Sequence, residues 1–141
     1  MAIKLASSAS MWRTQGAVEL TMTFSSTGAG KAVLIGDKIY VEFTTALAQN
    51  SYVELSTPLD MRVVDFSTIR TGSGAAVVTV GNGSSAISSA LTLAGDTHID
   101  VATTINDAYW DFAAGDDDLR ITETNTAACI AFLVITVMPI T

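Results

Sequence analysis

Apolar and polar residues alternate along much of this chain. Val18, Leu20, Met22 and Phe24 are interleaved with Glu19, Thr21 and Thr23, and Ile39, Val41 and Phe43 with Tyr40, Glu42 and Thr44. A period of two sends successive side chains to opposite faces of a sheet, so each run predicts a strand with one buried face. The same reading places strands near 16–24, 31–35, 38–44, 51–56, 61–70, 75–80, 97–102, 107–112, 118–123 and 127–138. Gly36-Asp37 separates two of them by a two-residue turn. Gly28-Ala29-Gly30, Gly72-Ser73-Gly74, Gly81-Asn82-Gly83 and Ala114-Gly115-Asp116-Asp117 supply turn residues elsewhere. Short strands at close spacing predict an all-β fold, and about eight to ten antiparallel strands suit a jelly-roll-like β-sandwich of two sheets.

Two segments depart from the alternation. In 84–93, Ile87 and Leu91 stand at helical spacing with Ala94 beyond, but the serines and Thr92 weaken a helix interior. A short helix and an irregular loop are equally compatible with that stretch. The last strand is apolar on both sides: Cys129, Ala131, Leu133, Ile135 and Val137 on one, Ile130, Phe132, Val134 and Met138 on the other. Such a strand needs cover on both faces. Either neighbouring loops cap it or its second face packs against sister subunits, which makes Ile130, Phe132 and Val134 the candidate subunit interface.

Composition points the same way. A chain of 141 residues fits one domain, here 15–141, and can bury a core without disulfides or metals. Apolar residues make up 49% and charged residues 15%, so part of the apolar surface is expected to meet another subunit. The first fourteen residues follow no periodicity and read as an arm outside the core. The arm carries Lys4, Trp12 and Arg13, and its tryptophan either docks on a partner or folds back on its own domain.

The net charge of −7 is unevenly spread. Acids and bases balance as far as Arg70, whereas beyond it Arg120 stands alone against Asp96, Asp100, Asp107, Asp111, Asp116, Asp117, Asp118 and Glu123. With no basic stripe to displace counterions, nucleic acid is not an expected partner. The apolar run at 127–138 is shorter than the ~20 residues of a bilayer-spanning helix. Residues 1–6 lack the apolar stretch of a signal peptide. The expectation is a soluble protein without an export signal or a membrane partner.

Residues suited to chemistry are scarce. There is one His, His98, and one Cys, Cys129, the latter read as a small buried hydrophobe. No Gly-Xaa-Ser-Xaa-Gly elbow exposes a serine. Gly28-Ala29-Gly30-Lys31-Ala32 lacks both the glycine spacing and the hydroxyl of a phosphate-binding loop. Asp116-Asp117-Asp118 could offer oxygens to calcium, but without an EF-hand spacing they read as solvated turn acids. Tyr109-Trp110-Asp111-Phe112 is the one candidate sugar platform, a tryptophan beside carboxylates; the preferred reading is that Trp110 and Phe112, two apart, point into the core together. No catalytic residue, cofactor or metal is expected.

Thr57-Pro58-Leu59-Asp60-Met61-Arg62-Val63-Val64, the turn Gly81-Asn82-Gly83 and above all Ala114-Gly115-Asp116-Asp117-Asp118-Leu119-Arg120-Ile121-Thr122-Glu123-Thr124 carry a resemblance across about residues 15–141. The chain resembles the small jelly-roll cement or decoration proteins of tailed bacteriophage capsids. That resemblance implies a non-enzymatic homotrimer on the capsid exterior, bound to the major capsid protein. Its arm residues Lys4, Trp12 and Arg13 are then the expected capsid-binding residues. The competing expectation is a carbohydrate-binding or receptor-binding head or fibre domain.

Overall fold

The computed structural model describes residues 17–58, 60–71, 76–83, 85–88, 91–93, 99–105, 111–112, 119–124 and 130–139. Among them are twelve strands: β1 (Val18–Leu20), β2 (Met22–Phe24), β3 (Ala29–Ile35), β4 (Lys38–Thr45), β5 (Ser51–Leu55), β6 (Met61–Thr71), β7 (Ala76–Gly81), β8 (Leu91–Leu93), β9 (Ile99–Val101), β10 (Asp111–Phe112), β11 (Leu119–Glu123) and β12 (Ile130–Pro139). The larger sheet has the order β1-β3-β4-β12-β6-β10, with β9 also paired to β6. The smaller sheet has the order β2-β5-β11-β7-β8.

Four antiparallel pairs lie nested along the chain: β7 with β8, β6 with β9, β5 with β11, and β4 with β12. Taken outward, successive pairs fall alternately in the smaller and larger sheets. A long ribbon rolled in this way is a jelly roll, so the sequence expectation of a jelly-roll-like sandwich holds.

The core is the set of inward residues from both sheets. Ile39, Val41, Phe43, Phe66, Leu133 and Ile135 from the larger sheet pack with Val53, Leu55, Val80, Leu119 and Ile121 from the smaller. Phe24 meets Phe43 edge-on, with ring centroids 6.4 Å apart. Polar groups inside are mostly tied down. The Thr68 hydroxyl donates to the Phe132 carbonyl at 3.0 Å, and Ser88 Oγ accepts from the Val80 N–H at 3.0 Å.

Several elements differ from the sequence expectation. The run at 16–24 is two strands: β1 pairs with β3 in the larger sheet, and after Thr21 the chain crosses so that β2 pairs with β5 in the smaller. The crossing closes one side of the sandwich with two three-residue edges, too short to template another chain well. Gly28-Ala29-Gly30 is not a turn, because β3 begins at Ala29. The stretch at 84–93 holds no described helix; bridges at Ala86 and Ser88 lead to β8. Gly36-Asp37 is the tight turn expected, with Gly36 at φ 62°.

Candidate functional site

The two outer faces of the sandwich differ in kind. On the smaller sheet polar outward residues around Arg120 are tied together. Arg120 Nε donates to Glu54 Oε1 at 3.1 Å, the two side chains are ion-paired, and the guanidinium lies 3.9 Å above the Tyr52 ring. Thr79 and Thr122 stand beside them, directly paired across β7 and β11.

The larger sheet presents apolar groups outward. Leu133, Ile135 and Val137 of β12 face the core, and this puts Phe132, Val134, Thr136 and Met138 on the opposite side. Cross-strand register then sets Tyr40 beside Val134 and Val33 beside Tyr40, while Glu42 stands between Lys31 and Phe132. Together these side chains, the charged Lys31 and Glu42 among them, line a groove of about 190 Å³. Phe132 is 40% and Tyr40 44% exposed, so two aromatic rings stand open on the centre of a sheet. Val33, Tyr40, Phe132 and Val134 thus form one open apolar strip on this face.

Phe132 and Val134, expected at a subunit interface, therefore lie together on one accessible face. Ile130 begins β12, in register with Thr71 of β6. The expected cover on both sides of this strand is found on one side only among the described residues, where the core lies. Val33 and Tyr40 were not expected at the site. Tyr40 read as the polar half of an alternating strand, and the signal for Val33 was the unbroken run Ala32-Val33-Leu34-Ile35, which is two-sided like 129–138.

Lys4, Trp12 and Arg13 lie outside the described residues, as do His98, Trp110, Asp116-Asp117-Asp118 and Cys129. A second cavity, about 630 Å³, opens where β1 leaves the larger sheet, between Leu20–Phe24 and Gly28–Lys31. Its mouth carries one acid, Glu19, and one base, Lys31. Among the described residues no three His, Cys, Asp or Glu side chains gather as a metal cluster. Comparison with known protein families, curated proteins and solved structures finds no match to this chain.

Proposed function

We propose that this protein is structural and non-enzymatic: a jelly-roll cement or decoration protein that sits as a homotrimer on the outside of a tailed-phage capsid and braces its shell. The observation that carries the reading is the open apolar groove of Val33, Tyr40, Phe132 and Val134 on the larger sheet. A sandwich with an uncovered apolar face gains by burying it, at roughly 25 cal/mol per Å² of apolar surface. A second copy of the chain is a partner always available at equal concentration. In this reading the subunits meet through the larger sheet, the arm with Lys4, Trp12 and Arg13 reaches the major capsid protein, and the acidic later half of the chain faces solvent.

Sedimentation velocity of the full chain at micromolar concentration tests the assembly, with a trimer expected. A monomer throughout that range would end the trimeric reading. Co-sedimentation with shells assembled from the major capsid protein tests the partner. The full chain is expected to pellet with shells, and a chain lacking residues 1–14 to remain trimeric in the supernatant. A wild-type hit on a glycan array without shell binding would favour a receptor-binding head or fibre domain instead.

A further inference from the structure

Ile35, Tyr40, Val64, Phe132 and Met138 are the large apolar side chains that stand exposed among the described residues, and all five belong to the larger sheet. They do not form one patch. Tyr40 and Phe132 line the groove, on the β3 and β4 side of β12. Val64 and Met138, each 47% exposed, lie farther along β12 on its β6 side. From Val134 to Met138 is about 13 Å at the usual rise of a strand. Between the two patches the Lys38 ammonium donates to the Thr136 hydroxyl at 3.0 Å, and the exposed Ile35 ends that row on β3, next to the groove's Val33.

A β-bulge creates the second patch. Thr136 pairs with Asp65 and Val137 with Val63, so Val64 is an extra residue in β6. Val63 and Phe66 keep their places in the core, and both Val64 and Asp65 are left outward. Bulges re-aim side chains in this way at a strand's functional end.

Resting on the trimeric reading above, we infer that the two patches are the two halves of one contact: Val64 and Met138 of one copy seat in the Tyr40–Phe132 groove of the next. A closed three-fold ring needs a heterologous interface, in which a surface meets a different surface on its neighbour. An isologous contact can also pair unlike patches, but its two-fold axis closes at two copies rather than three. This chain presents two unlike apolar patches on one sheet, displaced to opposite sides of its central strand. Charge also fits a second copy as the occupant. The chain as a whole is strongly acidic, yet both signs of charge stand at each patch: Lys31 and Glu42 at the groove, Arg62 with Asp65 and its own register partner Asp111 at the bulge, and Lys38 between the two. Docked copies can set Lys31 toward Asp65 and Glu42 toward Arg62, so the repulsion between acidic chains is absent at the contact.

A mixing experiment on the full chain tests this. Val64→Asp cripples the bulge patch and Val134→Asp the groove. Each variant alone should keep the wild-type circular dichroism and sediment as a monomer, its self-association weakened at least 100-fold. Mixed in equal amounts they should form a one-to-one heterodimer and stop there, because one intact patch remains on each partner. Should either variant fail to fold, Met138→Ser and Tyr40→Ser replace it in the same scheme. A mixture that stays monomeric while the wild type is trimeric overturns the pairing of unlike patches, as does a Val64→Asp trimer. A monomeric wild type strikes the trimeric reading itself.

Discussion

Tyr40 and Val134 are register partners across the ladder between β4 and β12, and both side chains stand on the outer face of the larger sheet. One residue earlier, Ile39 is fully buried. Adjacent residues of one strand thus occupy opposite environments, the core and the open groove. Ile39→Ala should cost about 2–5 kcal/mol of stability, the usual loss for a large aliphatic cut back in a core. Tyr40→Ala should change the stability of the dissociated chain by about 0.5 kcal/mol at most. Its effect belongs instead to self-association, which it should weaken. Urea unfolding at high dilution and sedimentation at high concentration separate the two quantities. Equal stability losses in the two variants would contradict the facing of this strand.

What could be read in the sequence was whatever depends on neighbouring residues. The facing of Ile39, Val41 and Phe43 follows from period two alone, and β4 has that facing. The crossing at Thr21 left no such trace. Leu20 and Met22 point inward whether the strand stays in one sheet or changes sheets, so the alternation is the same in both cases. Only distant partners, Ala32 for Leu20 and Leu55 for Met22, decide between them. Ile87 was ambiguous for a related reason. Its spacing to Leu91 imitates a helix, but the Ile87 and Ser88 N–H groups donate to the Val80 carbonyl, and the serine side chain binds Val80 in return. Phe132 and Val134 were legible as outer-face apolar residues because β12 is apolar on both sides. Val64 was not, since a bulge depends on the register of the partner strand.

Arg120 joins two interactions that a double-mutant cycle can divide. Its guanidinium pairs with Glu54 on the adjacent strand and covers the Tyr52 ring. Both charged side chains are about a quarter exposed, so water screens the ion pair. The coupling between Arg120→Met and Glu54→Gln should be about 0.3–1 kcal/mol and should fall in 1 M salt. A cycle of Arg120→Met with Tyr52→Leu should give about 0.5–1 kcal/mol for the stacked cation. Coupling to Glu54 that is unchanged by salt would mean the pair acts through packing rather than charge. None of these changes touches the larger sheet, so the assembly state should stay that of the wild type.

Gly30 and Gly36 serve the same hairpin, one inside β3 and one in its turn, for different physical reasons, and substitutions should tell them apart. A Cβ on Gly36 meets nothing within 4 Å, but the backbone there has φ +62°. Gly36→Ala should therefore cost about 1–2 kcal/mol, the penalty of the left-handed region, and Gly36→Asn should recover most of it. At Gly30 no positive φ is involved. A Cβ there would lie 2.4 Å from the Glu42 carbonyl oxygen and 3.2 Å from Phe43 Cα, both backbone atoms of the paired strand. Neither can rotate away, so β3 and β4 would have to part where the register already slips between Ala29 and Gly30. Gly30→Ala should cost about 1–3 kcal/mol, as overpacking does, and Gly30→Asn should be no better. Lys31 and Glu42, which line the groove, adjoin this contact. The Gly30 variants should therefore also weaken self-association, whereas Gly36→Asn should leave it intact. Urea midpoints and sedimentation of the four variants check both halves, and rescue by asparagine at both positions would refute the distinction.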